Sequence, residues 1–310
     1  MKQNILDIKG LKVGQAQKKD AKTGVTVILA ENGAVCGVDV RGAAPGTRET
    51  DLLHPCNAME RVHAVVLSGG SAFGLAAADG VMAYLEAHGI GFDVGCTKVP
   101  IVPAAVLFDL GNGNPFVRPD KEMGYAACEQ ASDSYLEEGS FGAGCGATVG
   151  KLFGMEHCCS SGIASWAETT AIGITVAALI AVNAFGDVWE NGRILAGSRR
   201  PDGSFADTEQ SILDNAAALS FVGQNTTIGV IATNVKLTKA QAQKVAGMAH
   251  DGLARCIRPI HTTLDGDTLF CLSTEEVELS TAPVDVIGTM AARVTEKAVL
   301  RAVKLGMQQA

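Results

Sequence analysis

The sequence lacks any apolar segment long enough to cross a membrane. Its longest candidate runs from Ile172 to Phe185 and ends in Gly186 and Asp187. A membrane helix needs roughly 20 consecutive apolar residues, so this segment is too short. The N-terminal residues MKQNILDIKGLKVGQAQKK also lack the apolar core of a secretory signal. We therefore predict no membrane partner and a cytoplasmic location.

Positive charge is scarce as well. Lys and Arg together number 25 against 33 Asp and Glu, which gives a formal net charge of −8. Because nucleic acids and anionic membranes attract basic surfaces, this balance argues against both as partners. The chain has 310 residues, of which 47% are hydrophobic, enough to build the packed core of a folded globular protein.

Cysteine usage follows no metal-binding or disulfide pattern. The nine cysteines are odd in number and scattered, and the adjacent pair Cys158 and Cys159 lacks C-x-x-C or zinc-ligand spacing. Such usage is typical of free thiols in a reducing compartment. Walker and G-x-G-x-x-G nucleotide patterns are missing, and the two aspartates near residue 266 lack the other ligands of an EF-hand. We predict neither a metal nor a cofactor.

Strand and helix patterns alternate along the chain, although not one for one. Strands are predicted at 5–13, 24–29, 34–40, 62–68, 172–182, 228–233 and 268–273, and helices at 72–87, 121–138, 237–257 and 284–306. Thr238 is the predicted N-cap of the third helix. This order favours one layered α/β domain over residues 1–310, with a mixed or antiparallel sheet rather than a doubly wound one.

A glycine turn follows the strand predicted at 62–68. Ser68, Gly69 and Gly70 stand between this strand and the helix at 72–87. A strand, glycine turn and helix can present backbone N–H groups to an anion or a carbonyl oxygen. The three residues are therefore candidates for substrate binding, with close backbone packing as the alternative.

A polar pair stands at the start of a buried strand. Asn225 and Thr226 precede the apolar run at 228–233, so a hydroxyl group is held where the backbone is rigid. Farther along, Asp265 and Asp267 are two residues apart and share one face of an extended segment. On these residues alone, the first pair is most often a turn and the second a solvated loop.

Several sequence blocks, in the same order over nearly the whole chain, resemble the DmpA-type family of self-processing aminopeptidases and amide hydrolases. The blocks are RGAAPGTRETDLL, VVLSGGSAFGLAAADGVMAYLE, VPIVPAAVLFDL, GAGCGATVGK, LIAVNAFGDV, NTTIGVIATN and MAHDGLARCIRPIHTTLDGDTLF. The PIVPAAVLFDL and NTT…DGD forms resemble the nylon-oligomer hydrolase branch, NylC, more than the branches that use a serine nucleophile.

The resemblance implies a four-layer αββα sandwich with mixed or antiparallel sheets, related to N-terminal-nucleophile hydrolases. It also implies a precursor that cuts itself between Asn225 and Thr226 into a long chain, 1–225, and a short chain, 226–310. By the same resemblance the protein forms a homotetramer. Its substrates are expected to be small peptides, β-peptides, amino-acid amides or amide oligomers.

Residue by residue, the resemblance assigns catalytic roles to five positions. Thr226 is the nucleophile, Asp265 and Asp267 form the acid pair that orients it, and Asn183 stabilises the oxyanion together with Lys151. The freed α-amino group of an N-terminal threonine has a pKa of about 8 and can act as its own base. No such amine exists before cleavage, so either an aspartate or Lys151 must be the base for the self-cleavage step.

Alternatives remain open at this point. Thr227 competes with Thr226 as nucleophile on sequence alone, and Lys151 is equally consistent with a surface cation that follows a turn. His261 near Pro259 suits a structural histidine, since the G-x-S-x-G elbow of serine hydrolases is absent. Two other functions compete with hydrolysis. One is an ornithine-acetyltransferase-type acyl transferase, whose usual junction has alanine before the threonine, and the other is an unprocessed binding protein.

Overall fold

The computed structural model describes residues 3–214, 225–279 and 283–309. Its α-helices are α1 (Ala77–Ala87), α2 (Lys121–Glu129), α3 (Thr208–Asp214), α4 (Lys239–Cys256) and α5 (Val284–Gln308). Short 3-10 helices lie at Ile5–Asp7, Lys19–Ala21, Asp51–Leu53, Ser71–Ala76, Gly142–Gly144 and Met155–His157. Residues 215–224, which lead up to the expected cleavage bond, lie outside the described residues. No helix in the described ranges is both long and apolar enough to span a membrane.

The strands in chain order are β1 (Lys12–Lys18), β2 (Thr23–Val40), β3 (Thr47–Arg48), β4 (Arg61–Ser68), β5 (Phe92–Asp93), β6 (Lys98–Val99), β7 (Ala104–Val106), β8 (Thr148–Val149), β9 (Cys159–Ser160), β10 (Ile163–Thr169), β11 (Thr175–Asn183), β12 (Asp187–Glu190), β13 (Arg193–Ala196), β14 (Thr226–Val235), β15 (Ile257–Arg258) and β16 (Thr268–Val277).

Within the part of the chain that the structure describes, nine strands form one large sheet. Its order is β10, β11, β14, β16, β2, β4, β7 and β3, with β1 pairing alongside β2. The pairs β14–β16 and β4–β7 are parallel. The other pairs in this sheet are antiparallel. The predicted mixed sheet is therefore confirmed.

Strand β2 joins the half of this sheet that contains β14 and β16 to the half that contains β4 and β7. Its first half pairs with β1 and β4, and its second half pairs with β16 and, at Ala34 and Val35, still with β4. The sequence analysis predicted two strands here, because Asn32 and Gly33 resemble a turn. Instead the chain continues as one strand of 18 residues. The turn residues are accommodated by a register irregularity between Leu29 and Ala34 and by a φ of +76° at Gly33.

Alternating side chains on the strands build the layers. In β11, Ile180 belongs to the same buried cluster as Val245 of α4, whereas its neighbour Leu179 belongs to the cluster on the opposite face, which includes Ile28 of β2. In β2, Val27 points away from that inner core and packs among residues of α1 and α2. Neighbouring strand residues point to opposite faces, so each sheet half is covered on both sides. The result is the predicted αββα sandwich, with α4 and α5 on one outside and α1 and α2 on the other.

Several predicted boundaries were wrong for local reasons. The helix predicted at 121–138 ends at Glu129, because the Ser132 hydroxyl accepts the N–H groups of Ser134 and Tyr135 and closes a turn. The strand predicted at 5–13 is a 3-10 helix followed by β1. In contrast, Thr238 is the N-cap of α4 as predicted, and it forms a reciprocal capping box with Gln241.

The contact between β2 and α4 gives a test of this packing. A Cβ atom added to Gly37 would lie 2.2 Å from Gln243 N and 2.5 Å from Ala242 C, both backbone atoms. We expect Gly37→Ala to lower the free energy of unfolding by about 1–3 kcal/mol, measured as a lower melting temperature. Gly111→Ala is the matched control, because its added Cβ would meet Met155 Cγ at an ordinary 3.4 Å. Equal melting of the two variants would contradict the close approach of α4 to β2.

Candidate active site

Thr226 is the first residue of β14 and lies opposite Asn183, the last residue of β11. Directly opposed residues on antiparallel strands point their side chains to the same face. On β14 this face continues through Ile228 and Val230, which belong to the core between the sheets. Thr226 and Asn183 are both buried. The structure therefore brings Thr226 and Asn183 together at the edge of the inner core.

The peptide bond between Asn225 and Thr226 is held by the segment that precedes β16. The Asn225 N–H donates to Leu264 O at 3.1 Å, and the Gly266 N–H donates to Asn225 O at 2.9 Å. The Thr226 hydroxyl donates to the same carbonyl oxygen. A Cβ on Gly266 would lie 2.7 Å from Ala44 O and 2.9 Å from Thr226 Oγ1, so only glycine fits here without displacement. The Asn225 carbonyl oxygen thus accepts two hydrogen bonds.

The Asp267 carboxylate contacts the backbone at the beginning of β14. Its carboxylate is fully buried. Oδ1 accepts the Thr227 N–H at 2.7 Å, and Oδ2 accepts the His261 N–H at 3.2 Å and the His261 ring Nδ1–H at 2.8 Å. Among the described residues, these bonds go to Thr227 and His261 rather than to Thr226. In the intact chain, Asp267 therefore holds the backbone next to Thr226 instead of the hydroxyl itself.

Asp265 is also buried, and Thr262 binds it. Oδ2 accepts the Thr262 N–H at 2.9 Å and the Thr262 hydroxyl at 2.6 Å. Burial, followed by the nearby Asp267 charge, raises the pKa of Asp265 to about 6. A carboxyl group with this pKa exchanges its proton close to neutral pH. The backbone of Asp265 also bridges to Asn225, which places the acid pair beside the expected cleavage bond.

Lys151 and Asn183 form a second polar cluster, at the end of β11 opposite Thr226. Lys151 Nζ donates to Asn183 Oδ1 at 2.8 Å and to Asn183 O at 3.1 Å. Thr148 N–H donates to the same Oδ1 at 3.0 Å, and one amide N–H of Asn183 donates to Phe108 O at 2.9 Å. Burial of the ammonium group lowers the pKa of Lys151 to about 7, although nearby Asp265 opposes this shift. Lys151 is thus close to half protonated at neutral pH.

The glycine turn after β4 packs closely on a buried acid. Gly70, at a φ of +79°, donates its N–H to Asp109 Oδ1 at 2.7 Å. A Cβ on Gly69 would lie 2.0 Å from Asp109 Oδ2. Burial raises the pKa of Asp109. Ser68 is fully buried, and its hydroxyl donates to Gly69 O. This geometry matches the close-packing alternative for Ser68, Gly69 and Gly70.

A small cavity opens beside Thr226, with a volume of about 210 Å³. Its walls include Ser71 and Ala72, from the 3-10 helix after the glycine turn, and the apolar residues Phe108 and Leu264. The turn itself therefore approaches the site, but the lining residues follow Gly70 rather than precede it. Across the described ranges, no group of three or more His, Cys, Asp or Glu side chains is arranged to hold a metal ion.

Sequence reasoning missed several contributors to this site. Gly266 contributes a backbone N–H, which has no side-chain signature. Asp109 had a signal that could have been used, because it is the one acid at the end of the apolar run VPIVPAAVLFDL. Thr262 precedes Asp265 by three residues, a spacing at which a hydroxyl and a carboxylate often close a local turn. His261, for which the sequence favours a structural role, bonds Asp267 directly.

Comparisons with known proteins agree with this architecture. The model of Peptidase family S58 matches residues 3–308. An uncharacterized aminopeptidase of Mycobacterium leprae (strain TN) is 44% identical over 302 residues, which cover 91% of this chain and 81% of that protein. A 6-aminohexanoate-oligomer endohydrolase of Kocuria sp. (strain KY2) is 30% identical over 327 residues, covering 96% of this chain and 85% of that protein.

Two solved structures share the fold. The Burkholderia sp. beta-aminopeptidase superposes with a TM-score of 0.68 at 18% identity, covering 97% of this chain and 86% of its own. The L-aminopeptidase D-Ala-esterase/amidase of Ochrobactrum anthropi, described as a variant of the Ntn hydrolase fold, gives a TM-score of 0.71 at 18% identity, with coverage of 97% and 85%. At these identities the likeness shows the fold alone.

The family match decides between the functions that the sequence left open. It spans nearly the whole chain, confirms the resemblance carried by the sequence blocks and favours hydrolysis over acyl transfer to an amino acid. The chain therefore belongs to Peptidase family S58 and is an enzyme that hydrolyses amide bonds.

Proposed function

We propose that the chain cuts itself between Asn225 and Thr226 and then uses the freed N-terminal Thr226 as the nucleophile of amide hydrolysis. The observation that carries this proposal is the Asn225 carbonyl, whose oxygen accepts both the Thr226 hydroxyl and the Gly266 N–H. A backbone donor on a carbonyl oxygen stabilises the negative charge that develops when a nucleophile attacks the carbon.

Self-cleavage begins with the attack of Thr226 Oγ1 on the Asn225 carbonyl carbon. The hydroxyl proton passes to a base, and the Gly266 N–H holds the oxyanion. The intermediate collapses when the carbon–nitrogen bond breaks and the nitrogen takes up a proton. This leaves Asn225 joined to Thr226 Oγ1 by an ester. Water then hydrolyses the ester, which leaves the long chain, 1–225, and the short chain, 226–310, without a covalent bond between them.

Lys151 is the base that the geometry favours for this first step. Its ammonium group bonds Asn183, which stands directly opposite Thr226 on the neighbouring strand. With a pKa of about 7, a large fraction of Lys151 is unprotonated at neutral pH. Asp267 instead bonds the Thr227 N–H, and Asp265 bonds Thr262. The aspartates therefore act as the acid pair that orients the site.

Hydrolysis of a substrate repeats this chemistry in the cavity beside Thr226. The Thr226 hydroxyl attacks the substrate carbonyl, while its own α-amino group, with a pKa of about 8, takes the proton and returns it to the leaving amine. The Gly266 N–H and the second amide N–H of Asn183 stabilise the oxyanion, with Lys151 nearby. An acyl-enzyme ester forms on Thr226, and water clears it.

The substrates that we propose are small peptides, β-peptides, amino-acid amides or amide oligomers. One relative is named an aminopeptidase and another a 6-aminohexanoate-oligomer endohydrolase, and both names describe amide bonds between small units. A cavity of about 210 Å³ suits one such unit. We further propose a cytoplasmic homotetramer.

Replacement of the nucleophile tests the proposal. We expect Thr226→Ala to remain a single chain of the intact mass and to lose hydrolysis, because no hydroxyl is left to attack. Thr227→Val is the matched control, since it keeps the backbone N–H that Asp267 accepts. That variant should give two fragments whose masses sum to the intact mass plus one water. Denaturing mass spectrometry reads both outcomes, and an active parent protein with an unbroken chain would refute the mechanism.

The pH dependence of self-cleavage tests the base. Only unprotonated Lys151 accepts a proton, so the cleavage rate of freshly synthesised precursor should rise with pH and level off above about 7. Lys151→Met should slow cleavage by roughly 10²–10⁴-fold, the usual contribution of a general base. Lys244→Met, on the exposed surface of α4, serves as the control. If Lys151→Met cleaves at the parent rate with the parent pH profile, the base is another group.

A further inference from the structure

His261 binds one oxygen of Asp267 with two of its own donors. Its backbone N–H lies 3.2 Å from Oδ2, and its ring Nδ1 lies 2.8 Å from the same atom. His261 has a left-handed backbone conformation with a φ of +58°, in which both donors reach the same oxygen. That conformation is unfavourable for a residue with a side chain, and surrounding structure must impose it. The contact between His261 and Asp267 therefore depends on the conformation that the loop imposes on His261.

The other oxygen of Asp267 connects this loop to the nucleophile strand. Oδ1 accepts the Thr227 N–H at 2.7 Å, one residue after Thr226. A fully buried carboxylate is stable only when donors surround it, and Thr227 and His261 supply them here. If His261 moved away, the carboxylate would reorient toward other donors. The first residues of β14 would then lose their fixed position.

The His250 ring packs against the His261 ring. It lies on α4 with no exposed surface, and the two rings meet edge to face with their centres 4.8 Å apart. His250 Nε2 donates to Asp39 O of β2 at 3.0 Å, and burial lowers the pKa of His250 to about 4. Within the described ranges, His261 Nε2 has no hydrogen-bond partner. The single ring hydrogen bond of His261 is therefore the one to Asp267.

We propose that His261 is a positioning residue that fixes the Asp267 carboxylate and, through the Thr227 N–H, aligns the Thr226 hydroxyl for self-cleavage and hydrolysis. His261 does not border the cavity beside Thr226. Its effect is transmitted by Asp267 rather than by contact with the reacting atoms. The proposal rests on the function proposed for Thr226, but the arrangement of His261 and Asp267 can be measured separately.

Three variants test the role in activity. His261→Ala should slow self-cleavage and lower kcat by about tenfold or more, because a small displacement of reacting groups is costly, while KM stays close to that of the parent. His261→Asn should recover most of the loss, since its amide N–H can replace the ring donor and asparagine tolerates left-handed backbone. His54→Ala, at an exposed histidine, is the control.

Two results from these variants would overturn the proposal. One is that His261→Ala cleaves and turns over at the rate of His54→Ala. The other is that His261→Asn remains as slow as His261→Ala although both melt at the parent temperature, because the donor would then be irrelevant.

A spectroscopic measurement separates this inference from the proposed function. In the uncleaved Thr226→Ala protein labelled with ¹⁵N-histidine, we expect NMR of the neutral His261 ring to find its proton on Nδ1 rather than on Nε2. Adding Asp267→Asn should abolish that preference. The opposite tautomer in the Thr226→Ala protein would refute the contact with Asp267, whether or not the parent protein cleaves. A parent that fails to cleave but shows the expected tautomer would instead refute the function proposed for Thr226.

Discussion

The site depends on the parallel pairing of two strand beginnings. Because β14 and β16 run in the same direction, with Ile228 opposite Thr268, their first residues meet at one edge of the sheet. The bridge between Asn225 and Asp265 extends this pairing beyond the regular strands. A hydroxyl residue, two acids and a glycine N–H are thereby brought together from segments about 40 positions apart in the sequence. An antiparallel arrangement would have separated them by the length of the strands.

Burial adjusts the charges that this pairing collects. The pKa of Asp265 is raised to about 6 and that of Lys151 is lowered to about 7, in each case chiefly by burial. Both shifts disfavour the charged form, because burial removes the water that stabilises a charge. The buried Asp267 carboxylate accepts hydrogen bonds from three N–H donors.

Much of the fold could be predicted from local pattern, and the exceptions have physical causes. The apolar runs at 62–68 and 228–233 are strands, and Thr238 caps its helix, because these signals act over a few residues. The continuity of β2 could not be predicted, since sheet pairing on both sides overrides its internal turn signal. Family resemblance supplied the layer order, which local pattern does not contain.

The site was less predictable than the fold. The sequence blocks pointed to Thr226 and the acid pair, but not to which atoms meet. In the intact chain Asp267 bonds the neighbouring backbone rather than Thr226, and Asp265 is held by Thr262. Backbone donors such as the Gly266 N–H leave no trace in residue identity. The sheet order also determines how the two chains would stay together after cleavage. Strands β14 and β16, which follow the expected break before Thr226, lie between β11 and β2, which precede it. The short chain could therefore separate from the long chain only by losing its strand pairing with both β11 and β2.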